Sequence, residues 1–130
     1  MRILIAEDDL ASRKFLFKFL SQYGDCDLVV DGMEAVDAFM LAWDEGRPYD
    51  LICLDIMMPN LDGLKTLKVV RDIEKQKAVP KAGSVKVIIT TVLDETDKVR
   101  AAFNTGCEAF AAKPVDTEKF VAVMKKLGLL

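Results

Sequence analysis

The chain has 130 residues, 52% hydrophobic and 30% charged, with a net charge of −3. That length holds one domain with a real core and is too short for two. No apolar run nears the roughly 20 residues that cross a bilayer, and the charge leaves no broad basic surface for nucleic acid. The start, Met1-Arg2-Ile3-Leu4-Ile5-Ala6-Glu7, turns acidic too soon for a secretion signal. Cys26, Cys53 and Cys107 show neither metal spacing nor a disulfide framework, and read as free core thiols in a reducing cytoplasm. With no histidine, the usual general base, the usual transition-metal ligand and any phosphohistidine in these residues are removed.

In chain order, Arg2 to Ala6 reads as a short strand ending in three acids, Glu7-Asp8-Asp9. Ala11 to Gln22 is a helix, with Phe15, Leu16, Phe19 and Leu20 at helical spacing and Gly24 as its stop. Asp27 to Val30 is a second strand, closed by Asp31-Gly32. Met33 to Asp44 is a helix with Val36, Phe39, Met40 and Trp43 on one side. Leu51-Ile52-Cys53-Leu54 runs unbroken into Asp55, the pattern of a strand buried on both faces of a parallel sheet. Leu64 to Lys75 is a helix striped by Leu64, Leu67, Val70 and Ile73. Gln76 to Ser84 is a long surface loop, its lysines a solvated face. Val85 to Thr91 is the fourth strand, Asp94 to Asn104 a helix, and Glu108 to Ala112 the fifth strand. Thr117 to Leu127 closes as a helix, capped by Thr117 or Asp116, with Phe120, Met124 and Leu127 facing in.

Five strands alternating with five helices predict an α/β, doubly wound parallel five-stranded sheet. The strand order 2-1-3-4-5 is adopted by analogy with flavodoxin-like folds. In that order the carboxyl ends of strands 1 and 3 meet at the topological switch point, where ligands bind. Those ends carry Glu7-Asp8-Asp9 and Asp55.

Carboxylates converging on one place repel, so an ion must balance them or their pKa values must rise. Oxygen ligands without His or Cys suit magnesium. Thr91 at the end of strand 4 offers a hydroxyl, and Lys113 after strand 5 a mobile cation. Nucleophilic acid, metal-binding acids, hydroxyl and amine at neighbouring strand ends make a pocket for a phosphoryl group, with Asp55 attacking to form an acyl phosphate. Each element alone has a plainer reading: Asp9 as a helix cap, Thr91 as a structural hydroxyl, Met57 and Met58 as core. Their joint order along the chain argues for chemistry.

Together Ile3-Leu4-Ile5-Ala6-Glu7-Asp8-Asp9, Leu54-Asp55-Ile56-Met57-Met58-Pro59 with Asp62-Gly63, Ile88-Ile89-Thr90-Thr91 and Ala112-Lys113-Pro114 resemble the receiver domains of two-component response regulators, across residues 2 to 128. The resemblance implies that Asp55 is the phosphoacceptor. It implies a magnesium ion, or Mn2+ in its place, bound directly by Asp8 and Asp55, by Glu7 through water and by the main-chain carbonyl of Met57. Thr91, matching the family's spacing back from Gly106 and Lys113, becomes the switch hydroxyl. Lys113 holds a phosphoryl oxygen, the Lys113–Pro114 bond is cis, and Phe110 is the aromatic residue that turns inward on activation. The face of the fourth helix, fifth strand and fifth helix then changes its partner-binding state.

Val92, Met57 and Leu93 flank this site as gating positions. Val92 stands where a smaller residue is frequent in the family, and its methyl groups predict slow autodephosphorylation. The expectation is a single stand-alone receiver over residues 1–130 with no output domain. It would be a cytoplasmic phosphoprotein without membrane or direct nucleic-acid contact, either a monomer or a phosphorylation-dependent dimer. It would not be an enzyme acting on other molecules, since it catalyses only its own phosphotransfer and slow autodephosphorylation. It would take phosphate from a histidine kinase, then dock on a target protein or pass the phosphate to a histidine phosphotransfer protein. A phosphatase of the haloacid dehalogenase type wants a second Asp two residues after the first, where this chain has Met57. A pseudo-receiver, a binding module that has lost phosphorylation, is opposed by the intact Asp8, Asp55, Thr91 and Lys113.

Overall fold

The computed structural model describes residues 1–92 and 96–130. Five strands, β1 (Arg2–Ala6), β2 (Asp25–Val29), β3 (Leu51–Asp55), β4 (Lys86–Thr91) and β5 (Ala109–Ala112), alternate with α1 (Leu10–Leu20), α2 (Gly32–Asp44), α3 (Gly63–Gln76), α4 (Thr96–Thr105) and α5 (Thr117–Lys126). All four strand pairings are parallel, in the order β2-β1-β3-β4-β5. This is the doubly wound sheet expected from the alternation.

Strand alternation builds two cores, one on each side of the sheet. Leu4, Ile52, Leu54, Val87 and Ile89 pack with Phe39, Leu67 and Val70 from α2 and α3. Ile3, Ile5, Leu51, Cys53 and Ile88 pack with Leu16, Phe19 and Leu20 of α1 and Phe120 and Met124 of α5. Every residue of β3 is buried, as its unbroken apolar run required. The buried large aliphatic side chains contribute about 1.5–3 kcal/mol each relative to exposure.

Four of the helices start on aspartates. Asp9, Asp31, Asp62 and Asp116 cap α1, α2, α3 and α5, each side chain accepting an amide three residues on. Asp9 is therefore the helix cap its position suggested, and Asp116, not Thr117, caps α5.

Several element limits and faces differ from the sequence reading. β2 begins at Asp25, because the Asp25 amide donates to the Met1 carbonyl at 2.9 Å and Arg2 pairs with Asp25. On an edge strand the ladder, not apolarity, sets the limits. α3 runs through Gln76, and Lys81–Gly83 forms a 3-10 turn inside the expected loop. β5 begins at Ala109, and α4 is described from Thr96, its expected start at Asp94 lying outside the described residues. Phe15 and Met40, expected on inner faces, are 45% and 46% exposed, because Leu16, Phe19 and Leu20 close the α1 face and Ala35, Phe39 and Ala42 close that of α2.

Candidate functional site

The carboxyl ends of β1, β3 and β5 bring the acids and the lysine together. Glu7 is fully buried, and its Oε1 accepts from Lys113 Nζ at 2.5 Å. The same Nζ lies 3.2 Å from Asp55 Oδ2. Asp55 is 5% exposed, and its Oδ1 accepts the Met57 amide at 3.3 Å. Asp8 is exposed beside them. One carboxylate oxygen from each of Glu7, Asp8 and Asp55 lies within 4.8 Å of the others.

Local backbone sets this geometry. Arg13 Nη1 donates to the main-chain oxygens of Glu7 at 3.1 Å and Asp8 at 3.3 Å, and the Asp9 amide donates to Glu7 Oε2 at 3.2 Å. The acidic turn is thus folded back over the first turn of α1. Behind Asp55, the Gly63 amide donates to the Ile56 carbonyl at 2.8 Å. A Cβ on Gly63 would stand 2.3 Å from the Asp55 carbonyl oxygen, so only glycine lets α3 start this close to β3.

Electrostatics follow from burial. The Asp55 carboxyl is pushed up to about 7, first by burial and then by the hydrogen bond and charge of Glu7; Lys113 opposes this. Burial alone would lower the Lys113 amine, but its hydrogen bond to Glu7 and the charges of Asp55 and Glu7 outweigh that and hold it above its ordinary value. Two buried acids facing the one Lys113 ammonium leave surplus negative charge. The donor set fits a hard divalent ion: oxygen ligands, two of them buried, with exposed Asp8 open to solvent for the waters that magnesium keeps.

The remaining candidate residues lie around this cluster without joining it. Thr91 is 3% exposed and its hydroxyl donates to the Val92 carbonyl at 3.2 Å. Phe110 is 45% exposed and stacks edge-on against Phe103, ring centroids 6.2 Å apart. The Lys113–Pro114 peptide is cis. Val92 and Met57 are exposed at the rim, where Lys98 Nζ lies 2.9 Å from Met57 Sδ. Leu93 lies outside the described residues. Arg13 and the close approach at Gly63 were not singled out from sequence, although Asp62-Gly63 after the central strand is the visible trace of the latter.

The chain belongs to the response regulator receiver domain family, whose model matches residues 3–125. Response regulator MprA of Mycobacterium avium is 34% identical over 128 residues, covering 98% of this chain and 50% of MprA, so the chain spans about half the length of that relative. The receiver domain of the Saccharomyces cerevisiae response regulator Ssk1, solved with the histidine phosphotransfer signalling protein Ypd1, superposes with a TM-score of 0.83 at 27% identity, covering 100% of this chain and 92% of that one. The CheX–CheY–BeF3–Mg2+ complex from Borrelia burgdorferi superposes with a TM-score of 0.82 at 24% identity over 98% of this chain and 88% of that one, a likeness of fold. No helix among the described residues is long and apolar enough to cross a membrane.

Proposed function

We propose that the chain is a phosphorylation-driven signalling switch whose acceptor is Asp55. The observation that carries this is the convergence of Glu7, Asp8 and Asp55 with Lys113 Nζ at three strand ends. Asp8, Asp55 and the Met57 carbonyl would hold magnesium directly and Glu7, already engaged by Lys113, through water. When bound, the ion supplies positive charge against the oxygens of the transferred group. The Asp55 carboxylate attacks phosphorus, and the donor's own bond to phosphorus breaks with its electrons leaving on the donor. Lys113 then exchanges Asp55 for a phosphoryl oxygen, and the Thr91 hydroxyl leaves the Val92 carbonyl for another. Phe110 gives up Phe103 and moves inward, altering the face of α4, β5 and α5. Phosphorylation biases an equilibrium between these two arrangements by what it stabilises in each.

The donor is a histidine kinase or a histidine phosphotransfer protein, a partner class supported by the Ypd1 complex of the Ssk1 receiver. A cleft of about 310 Å3 lined by Glu7, Ser12, Phe15, Lys113 and Pro114 opens beside the acids, and exposed Phe15 gives its α1 side an apolar character. Such chemistry belongs in the cytoplasm, with a downstream protein as target.

Incubation with magnesium and acetyl phosphate, read by intact mass, should give a phosphoryl-sized gain in the wild type and none in Asp55→Asn. No gain in the wild type would favour a binding module that lacks phosphorylation. Val92, 46% exposed at the rim, shields the acyl phosphate from water. Val92→Ala should therefore lose phosphate about threefold faster, a change of under ~1 kcal/mol in the barrier. An unchanged decay rate would remove Val92 from the gate.

A further inference from the structure

One more polar group shares the face of the acidic cluster. Along β4, Val87 and Ile89 enter one core and Ile88 the other, so alternation puts Thr90 on the side of Ile88. Cys53 shares the core of Ile88, which puts Asp55 on that side too; Glu7 follows from Ile5, and Lys113 from Ala111. Asp55 and Thr90 are paired residues across the β3–β4 ladder. Thr90 is 1% exposed, and its Oγ1 has no hydrogen-bond partner among the described residues. A valine would fill the same space without stranding a hydroxyl, so the orphaned donor calls for a use.

In the resting form Asp55 already has partners, Lys113 on Oδ2 and the Met57 amide on Oδ1. Once one carboxyl oxygen is esterified and Lys113 has followed the phosphoryl group, that set is broken. The Thr90 hydroxyl, on the adjoining strand at the position paired with Asp55, is an idle donor on the same face of the sheet. We propose that Thr90 is a positioning residue for the acyl phosphate, its hydroxyl donating to the unesterified oxygen of Asp55. This rests on Asp55 being the phosphoacceptor.

The consequence falls on phosphate loss. There a water oxygen attacks phosphorus, and the bond from phosphorus to the Asp55 oxygen breaks with its electron pair remaining on the carboxylate. The water's proton leaves to solvent, and inorganic phosphate departs. In a loose transition state the departing carboxylate already bears much of its charge, so a donor on its other oxygen grips the transition state harder than the neutral acyl carbonyl. During uptake the attacking carboxylate is charged before and at the transition state, and the same donor changes the rate less.

The test loads wild type, Thr90→Val and Thr90→Ser with magnesium and acetyl phosphate, removes the donor and follows the phosphorylated mass. Thr90→Val should keep its phosphate about five- to tenfold longer, with a smaller change in uptake, and Thr90→Ser should return to within about twofold of wild type. Unphosphorylated Thr90→Val should unfold at or above the wild-type temperature, since it removes a hydroxyl with no partner. Wild-type decay in Thr90→Val, failure of Thr90→Ser to restore it, or a marked drop in unfolding temperature would overturn the assignment. A wild type that takes up no phosphate overturns the receiver chemistry and this inference together, whereas normal uptake with unaltered decay overturns the inference alone.

Discussion

Arg71→Met is expected to destabilise the fold by about 3–5 kcal/mol, the usual cost of stranding a buried charge. Arg71 uses its whole guanidinium. Nη1 donates to Glu74 Oε1 at 2.6 Å and the Val85 carbonyl at 2.9 Å; Nε and Nη2 donate to the Gly106 carbonyl at 3.0 and 2.8 Å. Nη2 also grips both oxygens of Glu108, at 2.8 and 3.0 Å. The two glutamates pass the connection on, Glu74 accepting the Val85 amide and Glu108 the Val87 amide. One side chain thus ties α3 to the start of β4 and to the turn between α4 and β5, at the end of the sheet opposite Asp55. Methionine keeps the apolar stem and leaves Glu74, 5% exposed, without its cation. For a chain this long the loss corresponds to a fall of roughly 10–20 °C in Tm. Calorimetry checks it, and Glu74→Gln in the Arg71→Met background should recover part of the loss. A deficit below about 1 kcal/mol would mean that water replaces the guanidinium without penalty.

The second large effect is at Asp55 in protein stripped of metal. Its folded pKa, near 7, stands above its ordinary 3.8, so the folded state holds more protons than the unfolded state between those values. Stability attributable to this group is therefore full below about pH 4 and is lost as pH rises through 7. Asp55→Asn cannot lose that proton. In EDTA at pH 8 it should exceed the wild type by about 2–4 kcal/mol, and near pH 4 the two should converge. Magnesium, which would bind the folded and ionised form, should narrow the gap at pH 8. Urea unfolding at the two pH values, with and without magnesium, decides this. A difference between the two proteins that does not change with pH would mean that burial and Glu7 exert no such pressure on Asp55.

Much of the site was legible because its residues sit at the ends of strands whose apolar runs are unmistakable. Leu51–Leu54 runs into Asp55, Ile3–Ala6 into Glu7, and Ala109–Ala112 into Lys113, so a parallel sheet delivers all three to one edge. The helix caps were partly legible, since Asp9, Asp31, Asp62 and Asp116 precede apolar periodic segments. Less legible were the edge and the rim. Asp25 and Cys26 carry no strand pattern, yet they pair with Arg2 and Ile3 because the backbone of β1 needs a neighbour on that side. Phe15 and Met40 fit a helical stripe and still face solvent, since periodicity defines an arc of the helix but not how much of it the sheet covers.

The order of apolar runs, acids and turn residues along the chain determined the fold class, the phosphoacceptor candidate and the residues around it. Those signals are local, written in the period of two or 3.6 and in the residue that ends each element. Tertiary structure alone decided that Lys113 would bridge Glu7 and Asp55, 106 positions apart in the first pairing. It also decided that Arg71 would meet Gly106 and Glu108, and that Thr90 rather than Thr91 would lie beside Asp55 with an idle hydroxyl. Such facts depend on which strand lies next to which and on the parity of the ladder, and a shift of one residue reverses every side chain in a strand.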